Sequence, residues 1–264
     1  MADGERRTTC TRACRPGARH ARYVAPVRQP VVAIHQPNFL PWLGWLAKAA
    51  QADVLVLLDD VQLNRGGPTQ RVKIKAREGP RLVSIPIRHR RGSGVRIDEA
   101  EIAHDGKWDV LASRVIENAY HATRGWARHG EAIVALLRSR EPRLTAFNEQ
   151  MLRYLLEAFA IGTRVIRASE LGPRAETGNL GNLELCCRLG AATYLSGTGA
   201  RTYNDPAPFA ATGLDLVYNA FEHPRYAQPH GEFVPGLSAI DLLFSAPDEA
   251  AELLRAGIGI PQAE

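Results

Sequence analysis

No stretch of about 18 consecutive apolar residues occurs in this chain, so no helix in it is expected to span a membrane. Cysteine is scarce. Four residues in 264, two of them adjacent, form no disulfide framework at this length, and a reducing cytoplasm is the expected setting. Excess charge is also missing from the body of the chain. The formal +5 arises within residues 1–30, where seven Arg oppose Asp3 and Glu5, while the remainder holds 26 basic and 26 acidic residues. A balanced body is not expected to bind nucleic acid. Internal repeats are absent, and low-complexity sequence is confined to the first 30 residues. That Arg-, Pro- and Gly-rich segment lacks the apolar core of a secretory signal and is expected to be a disordered tail, dispensable or a misassigned extension. Cys10, Cys14 and His20 within it have loose metal-ligand spacing but no fourth ligand, so no metal is expected.

What is present is a 45% hydrophobic chain, enough for one large domain or one and a half. Residues 31–35 read as a buried strand, 41–51 as a helix opened by Pro41, and 54–58 as a second strand. Both strands are continuously apolar rather than alternating, as parallel strands covered on two faces must be. Together they form an opening βαβ unit, which predicts an α/β fold with a mostly parallel sheet. Residues 72–75 and 82–87 alternate and carry basic side chains, like an exposed antiparallel pair, and 88–94 reads as a loop. Helical spacing follows over 108–121, 127–138 and 144–160, where Leu144, Phe147, Met151, Leu155 and Phe159 make one core-facing stripe. Strands are expected again at 165–168, 193–196 and 214–218, with helices over 182–189 and near 208–211. The predicted layout is a single α/β domain over 31–256 in two halves, a helical insertion at about 105–160 between them, and a tail at 257–264.

The segment from Val31 to Trp45 carries the most chemistry. A β-branched strand delivers His35, Gln36 and Asn38 into a turn set by Pro37, just before a helix N-terminus. Open α/β sheets place their ligands at such strand ends. His35 suits a general base that titrates near neutrality, and Gln36 and Asn38 suit hydrogen bonding to a substrate carbonyl or hydroxyl. The alternative for His35 is a structural role capping a neighbouring loop. Asp59 and Asp60 end the second strand beside the first, where one of the pair would reach the site. Carboxylates there could bind a substrate ammonium or act as acid and base, or else cap a helix or pair with Arg71 or Lys73. Arg65 and Arg71 could receive phosphate or carboxylate by fork geometry, whereas Arg88, Arg90 and Arg91 read as ordinary surface cations. Ser196, Gly197 and Gly199 form an anion-accepting nest after a strand, with Arg201 and Tyr203 following. Gln62, Tyr226, Gln228 and Asp241 complete the binding candidates. Ser238 three residues before Asp241 has capping-box spacing, which offers a helix start as the plainer account of both. Cys186 and Cys187 read as buried thiols.

Taken together, His35-Gln-Pro-Asn-Phe-Leu-Pro-Trp-Leu-Gly-Trp45, Leu58-Asp-Asp-Val-Gln62, Ala168-Ser-Glu-Leu171, Tyr194-Leu-Ser-Gly-Thr-Gly199 and Leu237-Ser-Ala-Ile-Asp-Leu-Leu-Phe244 resemble the WbqC-like protein family. The resemblance runs from about Val31 to Phe244. It departs after Gln62, where the family often has an aromatic and Gln-Asn before the Arg. Here the stretch is Asn64-Arg-Gly-Gly-Pro-Thr-Gln-Arg71, so a different substrate preference is expected. The resemblance implies acyl or aminoacyl transfer to an amine in surface-polysaccharide or natural-product biosynthesis. The expected acceptor is a small amine such as a nucleotide-linked amino sugar, with a coenzyme A thioester or an acyl carrier protein as donor. In that scheme His35, Asp59 and Asp60 are catalytic, and Arg71 and Arg201 hold a phosphate. A fainter resemblance, to nucleotidylyltransferase-like α/β domains, rests on the strand, the His-x-Pro and the helix. Trp42 and Trp45 stand where those enzymes carry phosphate-binding histidine, which weakens the nucleotide chemistry. A non-catalytic carrier- or partner-binding module is the third alternative.

Overall fold

The computed structural model describes residues 29–88 and 94–263. The expectations for the Arg-rich tail, for Cys10, Cys14 and His20, and for Arg90 and Arg91 lie outside the described residues.

Strand β1 (Val31–His35) leads through α1 (Leu43–Ala50) into β2 (Val54–Leu57), which pairs parallel with β1 in register Val32 to Val54 and His35 to Leu57. The hairpin β3 (Arg71–Ala76) and β4 (Gly79–Ser84) forms a separate two-stranded antiparallel sheet. Its turn falls at 77–78, so the second strand begins three residues earlier than the alternation implies. Helices α2 (Trp108–Tyr120), α3 (Trp126–Leu137) and α4 (Leu144–Ala158) follow. The chain then returns to the sheet with β5 (Arg164–Arg167), α5 (Gly178–Arg188), β6 (Thr193–Ser196), α6 (Ala207–Ala211) and β7 (Asp215–Tyr218). It closes with α7 (Ala239–Ser245), α8 (Ala250–Ala256) and a two-residue strand β8 (Gln262–Ala263). The segment expected as a C-terminal tail thus contains an edge strand, antiparallel to β7 through Tyr218 and Gln262.

The main sheet has the order β5-β2-β1-β6-β7-β8, parallel in every pair except the last. Alternate residues of the same strands feed two cores. Ala33, Leu55, Leu57 and Leu195 pack with α1, α4 and α7, while Val32, Ile34, Val54 and Val56 pack with Leu185 and Phe209 from α5 and α6. Burial on both faces explains why these strands are apolar at every position. The crossovers also lie on opposite faces: α1 links β1 to β2 on one, and α5 links β5 to β6 on the other. Strand order therefore reverses between β1 and β6, the crevice where doubly wound sheets bind ligands. No helix among the described residues is long and apolar enough to cross a membrane.

Candidate functional site

A cleft of about 180 Å³ opens at that reversal point, lined by His35 from β1, Gly197, Thr198 and Gly199 after β6, and Asn219 and Phe221 after β7. Trp42, Gly44, Trp45 and Lys48 complete it from α1 and its approach. Helix α1 is apolar on nearly every side, with Leu43 through Ala49 all buried. Its one charged side chain, Lys48, is only 3% exposed and has no solvent-facing surface to occupy. It turns back over the end of β1, and its Nζ donates to the Ile34 carbonyl at 2.8 Å. Asn219 holds the same face of α1, donating to the Gly44 carbonyl at 3.2 Å while accepting from Gln51 Nε2 at 2.6 Å. The Trp42 ring packs over Gly44, and a β-carbon there would have to displace its edge.

The cleft walls carry polar groups that the described residues leave unsatisfied. His35 Nδ1 and Trp45 Nε1 are both buried without a hydrogen-bond partner, and the two rings lie 5.5 Å apart. They are two of ten such atoms among the described residues, and what sets them apart is that both residues line one cleft, where water or a ligand can complete them. Burial first, and then the neighbouring Lys48 charge, hold the His35 imidazole well below its usual pKa. Burial also pulls Lys48 down to about 7. The cleft therefore holds a neutral imidazole beside an amine poised to gain or lose a proton near neutral pH. The amides that open the 3₁₀ turn Thr198–Ala200 have no partner within that turn, and Thr198 and Gly199 line the cleft.

The loop that follows His35 is clamped from three directions. Asn148 Nδ2 donates to the Pro37 carbonyl at 2.8 Å and to the Thr69 carbonyl at 2.9 Å, and the Phe39 amide donates to the Pro68 carbonyl at 3.0 Å. Leu40, fully buried, takes a left-handed φ of 41°, a strained conformation for a branched side chain. Ser238 holds it there, its Oγ donating to the Leu40 carbonyl at 2.8 Å. The Ala239 amide donates to the Pro41 carbonyl at 2.8 Å. The motif at Ser238 thus fastens the motif at His35.

The other candidates distribute as follows. Asp59 accepts from the Ser169 amide at 3.0 Å and its hydroxyl at 2.8 Å, and Asp60 forms a two-pronged pair with Arg174 at 2.8 and 2.7 Å. Both lie beyond the end of β2, and these contacts turn them toward β5. Neither lines the cleft, and the place expected for a carboxylate beside His35 is taken by Lys48, which sequence reasoning missed. Gln36 Oε1 accepts from Thr69 Oγ1 at 3.4 Å, and Asn38 is buried, but neither lines the cleft. Ser196 is buried and accepts from Asn204 Nδ2 at 3.1 Å, so of its segment only residues 197–199 face the cleft. The Arg201 guanidinium lies 4.8 Å from the Tyr218 ring centre, while Tyr203 is exposed. Gln62 is exposed and bridges to Arg96. Arg71 lines a different cavity, apart from Arg201. Cys186 is buried, its thiol pushed up by desolvation, but Cys187 is exposed, contrary to the expectation of two buried thiols.

Asp241, Tyr226 and Gln228 meet in the interior. The fully buried Asp241 carboxylate accepts from Tyr120 at 2.7 Å, Tyr226 at 2.8 Å and Gln228 at 2.8 Å. Burial raises its pKa despite those donors. Ser238 caps α7 by accepting from the Ile240 amide, whereas the Asp241 side chain is spent on this network and closes no capping box.

Fold and cleft define the chain as a doubly wound α/β protein with its polar site at the strand-order reversal. It matches the model of the WbqC-like protein family over residues 36–253 and belongs to that family. The chain is also similar to the uncharacterized protein Rv1507c of Mycobacterium tuberculosis, with 29% identity over 229 residues, 85% of this chain and 97% of that one. No solved structure matches the chain.

Proposed function

We propose that this protein is an amide-forming acyl- or aminoacyltransferase whose reacting centre is the His35 cleft. The acceptor would be an amine such as a nucleotide-linked amino sugar, and the donor a thioester on coenzyme A or a carrier protein. The observation that carries this reading is His35 itself, a neutral imidazole that lines the cleft and whose buried Nδ1 has no hydrogen-bond partner among the described residues. In the step envisaged, the amine nitrogen attacks the acyl carbonyl while His35 accepts the proton it sheds. The C–S bond then breaks, and the thiolate leaves with that proton, so amide and thiol are the products. The amides of Thr198 and Gly199 would receive the oxyanion formed on the way. A cleft of about 180 Å³ is below the roughly 300–1,000 Å³ usual for whole ligands, which suits a site that encloses only the reacting ends.

The test is transfer followed by mass spectrometry, with a panel of coenzyme A thioesters and nucleotide-linked amino sugars, in the wild type and in His35→Gln. Loss of a general base removes about 10²–10⁴-fold in rate. A folded variant that turns over at the wild-type rate would sink the assignment.

One observation favours a second reading. Numbered in order of appearance within the parallel sheet, the strands run 3-2-1-4-5, the order of dinucleotide- and nucleotide-binding domains. Nucleotidyl transfer would use the same crevice. Titration with ATP, CTP and Mg²⁺ tests the second reading, because it requires binding, and no heat at millimolar nucleotide rules it out.

A further inference from the structure

We propose that a second cavity, walled by Arg65, Arg71 and Arg88 and floored by apolar side chains, binds a phosphate ester carried on an apolar or planar body. This cavity measures about 540 Å³, within the range of small-molecule sites. Ile85, Ile87 and Trp108 form its apolar side, with Gly66 and Gln70 at the turn before β3, and no acidic residue appears among the described residues that line it. In a body with equal numbers of acidic and basic residues, three guanidinium groups around one concavity are a local concentration of charge. Arg88 keeps a loose contact with Glu101 at 3.8 Å, outside the lining.

The cavity is built rather than incidental. Gly66 sits at a left-handed φ of 75°, and a β-carbon there would lie 3.0 Å from Arg71 Nη1 and 3.1 Å from its Cζ. The missing side chain lets the Arg71 guanidinium lie flat across the turn, pre-positioned for a bidentate anion. The buried Gln70 fixes the same turn, accepting from the Gly66 amide at 2.9 Å. Trp108, 8% exposed, lines the cavity, and its buried Nε1 has no hydrogen-bond partner among the described residues. Cation fork, apolar wall and unspent indole donor together fit a phosphate joined to something flat or greasy. They fit a free inorganic ion poorly.

The turn that builds this cavity is also the one held to the His35 loop, since Asn148 grips Thr69 and Pro37 together. Assigning the ligand to the transfer reaction rests on the reading above. The phosphate could then come from a nucleotide-linked acceptor or from the phosphopantetheine arm of a donor. Binding itself does not rest on turnover, so the two can fail separately.

Calorimetric titration of the full chain with uridine diphosphate, with phosphopantetheine and with pyrophosphate tests the site. One of the first two should bind, more tightly than pyrophosphate, and whichever it is identifies the source. Arg71→Ala should weaken that ligand at least tenfold, and Arg71→Lys should fall between, because lysine keeps the charge and loses the fork. If Arg71→Ala does not fold, exposed Arg88→Ala replaces it with the same expectation. No heat with either organic ligand at millimolar concentration, pyrophosphate binding as tightly as both, or unchanged affinity in a folded Arg variant would each overturn the proposal.

Discussion

Lys48 Nζ donates to the carbonyl of Ile34 at 2.8 Å, which ties the last turn of α1 to the strand end that carries His35. This one contact places a buried amine beside the half-buried His35 imidazole, and most of the cleft's proposed chemistry follows from it.

The first consequence is a pH-dependent cost to folding. Lys48 is pulled from 10.5 to about 7, so between those values the unfolded chain binds more protons than the folded one. Stability from this residue therefore rises with pH across that window, and below pH 7 the folded state carries the full penalty. At about 1.4 kcal/mol per unit that penalty is on the order of 5 kcal/mol. Lys48→Met, which keeps the volume, should be more stable than the wild type below pH 7, with the gap closing toward pH 10. Urea denaturation at intervals of pH checks this, and a gap constant with pH would count against a buried lysine.

The same substitution should alter catalysis. Lys48 contributes to the depression of the His35 pKa, second to burial. Removing its charge raises the His35 pKa, so the acid limb of kcat/KM should move to higher pH in Lys48→Met. An unmoved limb would mean that the titrating base is another group.

Asn148 predicts a stability effect with a functional signature. Asn148→Ala leaves the buried Pro37 and Thr69 carbonyls without their donor, each worth about 1–3 kcal/mol. The expected loss is about 2–5 kcal/mol by denaturant titration, accompanied by a fall in kcat, because the loop leaving His35 loses its clamp.

Asp241 predicts a larger loss without a change of chemistry. Asp241→Ala strips the common acceptor from Tyr120, Tyr226 and Gln228, leaving both hydroxyls without it and Gln228 Nε2 with only the Val234 carbonyl. A destabilisation above about 3 kcal/mol is expected. Tyr226→Phe, which removes one donor and keeps the carboxylate, should cost about 1 kcal/mol.

Much of the fold was legible because period and burial agree. The unbroken apolar runs of β1 and β2 announce parallel strands covered on both faces, and the stripe from Leu144 to Phe159 lies wholly in the core. His35 was legible because a strand has no packing reason to end in His-Gln-Pro-Asn. Lys48 was not, because a lysine in the last turn of a helix ordinarily faces solvent and the helix dipole. The signal lay in its neighbours: Leu43-Gly-Trp-Leu-Ala-Lys-Ala-Ala50 leaves no polar face for it. The placement of Asp59 and Asp60 was not legible because the adjacency of β1 and β2 does not extend past the strands. The ladder stops at Leu57, and the chain beyond it follows Ser169 and Arg174 instead. The Asp241 network joins residues 121 positions apart, a distance over which sequence pattern carries no register.

The central claim is that His35 is the proton acceptor in amide formation. The most direct measurement is the rate of amide product formation from a thioester and an amino sugar in the wild type and in His35→Gln, with folding of both verified by melting. The account predicts product from the wild type and a loss of about 10²–10⁴-fold in the variant. Equal rates in two folded proteins would contradict it.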